Sequence, residues 1–151
     1  MTYCAIACLA VFGCLSLSGQ TIREALSSEF SKLPKGVRAD LRIRGCTIPQ
    51  PLYSSGLANV IRGHFQNSQG VDWAVVCDIR ATDTSLLLVY WSGKPSAPAV
   101  VFKSRLPKDT CGIDIAPVGA AFIMKHYRAY GGPKPPPINH EGINVDICEK
   151  A

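Results

Sequence analysis

The sequence predicts an α+β fold: a small antiparallel sheet of about four strands, arranged as hairpins or a meander, with an N-terminal helix and a second helix near residues 117–130. Three observations predict it. Residues 58–65, 71–78, 85–91 and 99–103 are short runs of β-formers with turn residues between them. Apolar residues at helical spacing flank this centre on both sides. The chain has 151 residues, which after loss of a leader leaves about 130, enough for one domain with one core.

The leader is the first element. Residues 1–22 carry no Asp, Glu, Lys or Arg, and Ala5 to Leu17 is an almost continuous apolar run. That run suits a signal-peptide core and falls short of the roughly 20 residues a spanning helix needs. Ser16-Leu17-Ser18 is a small-x-small cleavage pattern, which gives a signal peptide over residues 1–18 and an exported domain with a Pro-rich tail over 19–151. The expected location is periplasmic or extracellular, with no stable membrane span. The leader departs from the usual pattern in having no charged side chain ahead of its apolar run. Two alternatives are a lipid anchor through Cys14, which the bulky Phe12 disfavours, and a buried core helix over residues 4–17.

Thr21-Ile22-Arg23-Glu24 has the form of a capping box, and Ile22, Ala25, Leu26, Phe30 and Leu33 follow at helical intervals up to Pro34 and Gly36. This predicts a helix over 21–33. Residues 37–44 are ambiguous: Val37, Ala39, Leu41 and Ile43 alternate as in a strand, while Gly45 suits a helix end. Pro49 and Pro51 keep residues 46–51 extended or turning. Leu86 to Trp91 is apolar at every position, the mark of a strand covered on both faces. Pro117 opens the second helix, Val118, Ala121, Phe122, Lys125, His126 and Ala129 give its period, and Gly131-Gly132 ends it. Pro133 to Pro137 reads as polyproline-like, and no period is evident beyond it.

Cys4, Cys8 and Cys14 would leave with the leader, and Cys46, Cys77, Cys111 and Cys148 would remain, an even count suited to an oxidising compartment. Four cysteines allow three pairings that sequence alone does not separate. The preferred one joins Cys46 to Cys77 and Cys111 to Cys148, each link being worth about 3–4 kcal/mol by loop entropy. With no C-x-x-C pair, a zinc site is not expected, nor is any cofactor.

Sixteen Lys and Arg against 11 Asp and Glu give a net charge of +5. The charges are scattered. The densest basic stretch, Arg38 with Arg42 and Arg44, contains Asp40 and no aromatic residue, so nucleic acid is not an expected partner.

Candidates for chemistry are few. The sequence has neither H-E-x-x-H nor G-x-S-x-G, and oxidised cysteines make poor nucleophiles. The one local partnership of acid and base is His140-Glu141, with Asp146 nearby, which keeps a hydrolase-like enzyme as an alternative. A non-catalytic binding or interaction module is the leading expectation, with an envelope protein or a small molecule as partner. Its candidate binding residues are Trp73, Trp91, His126, Tyr130, His140 and Glu141, with Tyr127 and the rigid Pro133 to Pro137 segment beside them. A structural envelope component is the third class.

Two resemblances add to this. Gly63, Phe65, Asp72, Ala74 and Val75 fall in register with the FG-GAP or VCBS-type repeat, in which a calcium loop joins two strands. Here His64, Gln66 and Ser68 stand at loop positions that are acidic in that family, and the pattern occurs once, so the resemblance implies a hairpin without calcium. More broadly, RGCTIPQ (44–50), NVIRGHF (59–65), DWAVVC (72–77), LLVYW (87–91) and HYRAYGGPKPPPINHEGI (126–143) resemble an uncharacterised family of small exported bacterial proteins. Members of that family continue into two further strands rich in Tyr and Trp. The resemblance implies that a chain stopping at Ala151 is a truncated or variant member with an exposed sheet edge. It implies no activity.

Overall fold

The expected helix over residues 21–33 does not form. The computed structural model describes residues 22–67, 69–105, 110–133 and 135–149, with the side chains of residues 110, 111 and 149 left out of that description. The leader expected over residues 1–18 lies outside the described residues. Within them, Arg23–Ala25 is a strand, β1, followed by a single 3-10 turn at Ser27–Glu29. A lone helix of that length is marginal in water, and this segment has better partners in the fold. Glu24 accepts a hydrogen bond from the Thr47 hydroxyl and an ion pair from Arg80 at 2.7 Å. Glu29, not Glu24, makes the capping contact, accepting from the Leu26 N–H at 2.7 Å.

The ambiguous stretch resolves as helix α1, Lys35–Ile43. Val37 and Leu41, one turn apart, are fully buried, whereas Ile43 is 81% exposed, so the helical period is used and the strand alternation is not. Gly45 ends the helix at φ +71°. The Cys46 N–H reaches the Leu41 carbonyl at 2.9 Å and the Gly45 N–H reaches that of Arg42 at 3.0 Å, the paired bonds of a Schellman motif. Ile48–Gln50 then forms β2, antiparallel to β1 with Ala25 opposite Ile48.

The four central runs are strands: β3 (Val60–Gly63), β4 (Asp72–Ile79), β5 (Thr84–Tyr90) and β6 (Ala99–Arg105). They form an antiparallel meander in chain order, as expected. Strand β5 is covered on both faces. Leu86, Leu88 and Tyr90 join Val75 and Cys77 of β4 in a core closed by Phe30, Leu33, Val37 and Leu41. Leu87 and Val89 join Ala74 and Val76 in a second core on the opposite face. The Cys46–Cys77 disulfide ties the end of α1 to β4 on the first face.

The second core is closed by elements the sequence reading missed. Thr110–Val118 is β7 and Gly142–Glu149 is β8, an antiparallel pair that brings Ile113, Ile115 and Ile143 onto the sheet. Pro117 therefore lies in a strand, opposite Ile143, and not at a helix start. The second helix, α2, begins three residues later than expected and runs Ala120–Tyr130 from the N-cap Gly119. Its end is where the two glycines place it, with Gly131 at φ +74°. The period taken to be missing after residue 137 is present: Ile143, Val145 and Ile147 alternate with Asn144, Asp146 and Cys148. Cys148 is disulfide-bonded; the side chain of Cys111, its expected partner, lies outside the described residues.

Asn59 joins three of these elements. Its side-chain amide donates to the carbonyls of Pro49 in β2 and Ile113 in β7, both at 2.7 Å, and its own carbonyl accepts from the Val76 N–H of β4 at 3.1 Å. The residue is 1% exposed and sits at φ 65°, a left-handed conformation that Asn tolerates better than other side chains. Asn59→Ala removes a donor from the Ile113 carbonyl and from that of Pro49, which keeps a bond from the Gln50 amide at 3.2 Å, and it strains the backbone, so it should cost about 2–4 kcal/mol, read as a lower urea midpoint. Asn59→Gly should recover about 1 kcal/mol of that by relieving the backbone. A wild-type midpoint for Asn59→Ala would show that the amide does not hold the layers together.

Candidate functional site

The residues singled out from sequence fall in three separate places. At the β3–β4 turn, Glu141 docks on His64: its Oε2 accepts the His64 N–H at 2.7 Å and its own N–H donates to the His64 carbonyl at 2.9 Å. The His140 ring bonds to the Glu141 carbonyl at 2.9 Å, and the carboxylate of Asp146 accepts from Asn144 at 2.7 Å. Asp146 stands five positions beyond Glu141 along an extended strand, about 16 Å away. The three groups do not converge on a cleft. Glu141 is a structural clasp holding the start of β8 against the hairpin.

The same turn holds the loop that resembles the FG-GAP pattern, and it is a strand-loop-strand hairpin. Asp72 is 1% exposed. One of its oxygens accepts from Phe65 N–H at 3.0 Å and Gln66 N–H at 2.9 Å, the other from Ser92 N–H at 2.8 Å. The one carboxylate of that loop is thus committed to the backbone that surrounds it.

The second place is α2. Phe122, His126 and Tyr130 lie one turn apart and stack, with ring centroids 4.2 Å and 5.5 Å apart. Tyr130 is 83% exposed. Tyr127 is half-buried on the inner side of the helix. Trp91 packs on the second core and Trp73 on the first, so the two tryptophans occupy opposite faces of the sheet and build no common aromatic surface.

The third place is a pocket at Trp73. It has a volume of about 570 Å³, within the usual range for small-molecule sites of about 300–1,000 Å³. Residues 29–33, the turn and loop formed in place of the expected helix, cross the edge strand β3 here. Phe30, Leu33, Val60 and Trp73 form the apolar wall. Arg62 stands directly opposite Trp73 in the β3–β4 ladder and so shares its face. Lys32 and Glu29 complete the rim. Glu29 is neutralised by Arg23 at 2.5 Å and also accepts the Leu26 N–H. Lys32 and Arg62 have no ion-pair partner among the described residues. The uncompensated charge at the rim is therefore positive.

Of these lining residues, sequence reasoning found Trp73 alone. Phe30 and Leu33 were assigned to a helix face, and Arg62 lies in a strand with nothing in its neighbourhood to single it out. Only the β3–β4 register brings it beside the indole.

Compared with known proteins, the chain matches no family model, no curated protein and no solved structure. Among the described residues no helix is long and apolar enough to cross a membrane, and no group of His, Cys, Asp and Glu is placed to hold a metal ion.

One buried acid lies near β1 and outside the pocket. Asp78 of β4 is 5% exposed, and burial pushes its carboxyl up to about 6 from an ordinary 3.8, with Glu24 adding to the rise and Ser85 and Arg80 opposing it. Neither Asp78 Oδ1 nor Ser85 Oγ makes a well-formed hydrogen bond. A folded-state value above the unfolded one means that folding disfavours the ionised form. Stability is then fullest below pH 3.8 and is lost as pH rises through about 6. Asp78→Asn should remove this loss, gaining on the order of 2–3 kcal/mol at pH 7 and nothing at pH 3.5. Urea midpoints across that range check it; a gain that is the same at both pH values would assign the effect to something other than Asp78 ionisation.

Proposed function

We propose that the chain is an exported, non-catalytic module that binds a small molecule in the pocket at Trp73. The observation that carries this reading is the pocket's composition: an apolar wall that includes an indole, bounded by side chains none of which is a nucleophile paired with a base. Such a surface lowers the free energy of a bound ligand by removing apolar area from water, and it has nothing with which to transform that ligand. Trp73 supplies a large, rigid area at little entropic cost. Export accords with the Cys46–Cys77 disulfide and the oxidised Cys148, since disulfides persist outside the reducing cytosol. It accords also with the apolar leader and with the resemblance to small exported bacterial proteins.

The binding half is tested with a neutral fluorescent probe, N-phenyl-1-naphthylamine. The chain has two tryptophans, so in Trp91→Phe only Trp73 emits. Saturable, one-to-one quenching of Trp73 with energy transfer to the probe is the expected result, and calorimetry on the wild-type chain should give the same stoichiometry. Absence of saturable binding in both would remove the pocket as a site. For the export half, the chain is expressed with its leader and the periplasmic fraction weighed intact without reductant. The expected mass begins at Gly19 and carries no free thiol; a mass that retains residues 1–18 overturns export.

A further inference from the structure

We infer that the pocket at Trp73 takes an amphipathic anion: a small molecule with an aromatic or aliphatic body and one carboxylate, bound body-inward with its charge at Lys32 and Arg62. This rests on the binding reading above and names the ligand class of that same site.

The apolar wall sets the body of the ligand. Phe30 and Leu33 belong to the first core and are 8% and 1% exposed, so what they offer the pocket is an edge fixed by packing behind it. Trp73 is half-buried against the same core, and a Cβ on Gly93 would lie 3.6 Å from the indole, so the ring is hemmed on its inner side. A rigid apolar wall of this kind favours a flat or extended hydrocarbon over a polar solute, because little of the wall can rearrange to meet hydrogen-bonding groups.

The rim sets the charge. Three charged side chains line the opening, and Glu29 is already committed to Arg23 and the Leu26 N–H. Lys32 and Arg62 are exposed and have no side-chain partner among the described residues. They come from different elements, Lys32 from the loop after the 3-10 turn and Arg62 from β3, so an anion in the pocket has two cations among its lining residues. Arg62 presents a planar fork suited to a carboxylate, and Lys32 a mobile point charge. A cationic ligand would bring a third positive group to the same mouth. A neutral one would forgo both partners.

The test uses three ligands that share one body: 2-naphthylacetate, its neutral amide 2-naphthylacetamide, and 2-naphthylethylammonium. Each is titrated by calorimetry into the wild-type chain, into Arg62→Gln and into Lys32→Gln. Both substitutions are of exposed side chains outside the core, and circular dichroism confirms that the variants fold. The expected order is carboxylate, then amide, then ammonium, with the carboxylate at least about tenfold tighter than the amide at low salt. In Arg62→Gln that preference should shrink to about twofold or less.

If the amide binds as tightly as the carboxylate, or the ammonium binds best, the anion inference falls and the binding reading stands. A carboxylate preference that survives in both variants would overturn Lys32 and Arg62 as the charge site. If none of the three binds and the neutral naphthylamine probe also fails, the binding reading itself falls and takes the anion inference with it.

Discussion

The structure depends on how one buried amide is used. Asn59 stands where the meander begins, and from its left-handed backbone position the side chain meets Pro49 in β2 and Ile113 in β7 while the backbone meets Val76 in β4. A buried polar group without partners would cost more than the side chain could return by packing, so its two donated bonds must both be kept. Keeping them fixes the distance between the β1–β2 pair and the β7–β8 pair. Each pair contributes to one core of the central sheet, Ala25 and Ile48 to the first and Ile113, Ile115 and Ile143 to the second. Thr47 continues the same seam, exchanging backbone hydrogen bonds with Asp78 at 3.0 Å and 2.8 Å, so β2 prolongs the edge of β4 beyond the end of β3. One interior amide thereby organises layers that local sequence signals would leave unrelated.

The pocket at Trp73 is a consequence of that arrangement. Because β1 is held in the seam by β2, the chain from Leu26 to Leu33 cannot continue as a helix and must turn back across the first core. The 3-10 turn, closed by Glu29, makes the crossing. It carries Phe30 and Leu33 onto the first core, and the pocket lies between this loop and the β3–β4 ladder. Trp73 lines that pocket, and so does Arg62, its cross-strand neighbour. On the other side of α1, Asp40 receives both Arg44 at 2.7 Å and the Tyr90 hydroxyl at 2.9 Å, anchoring the helix to β5. Burial and the nearby Asp40 raise the Tyr90 hydroxyl above its ordinary value, which keeps it a donor at any working pH. The helix therefore cannot slide to fill the pocket.

What could be read from the sequence was what local chemistry decides. Leu86 to Tyr90 is apolar throughout, and only a strand with both faces covered satisfies such a run. Gly131 marks the end of α2 because a left-handed residue is needed there. The Cys46–Cys77 link was one preference among three pairings. The N-terminal helix was misread because its apolar spacing is compatible with two structures, and the partner that decides between them, β2, lies more than 20 residues away. β7 and β8 were missed for a different reason. Ile113 and Ile115 alternate with Asp114 and Ala116, and the same pattern recurs from Ile143, yet Pro117 and the glycine-proline run between them drew the boundary into a helix. Each strand is regular, but each has its partner on the far side of α2. The site suffers most from this. Trp73 is conspicuous as a residue, whereas Lys32, Phe30 and Arg62 become meaningful only in a register that no local pattern specifies.

The proposed binding role rests on the same geometry. A reaction needs groups that change protonation or bond to substrate, held at hydrogen-bond distance from one another. Several of the described acids are engaged away from the pocket. Glu141 holds His64, Asp72 holds the turn that follows β3, Asp40 holds α1, and Glu24 holds Thr47 and Arg80. Each fastens one segment to another, and freeing any one for chemistry would loosen a junction. The charged groups at the pocket without a partner among the described residues are Lys32 and Arg62. Cations over an apolar wall can sort ligands by charge and shape, as the proposed binding role requires.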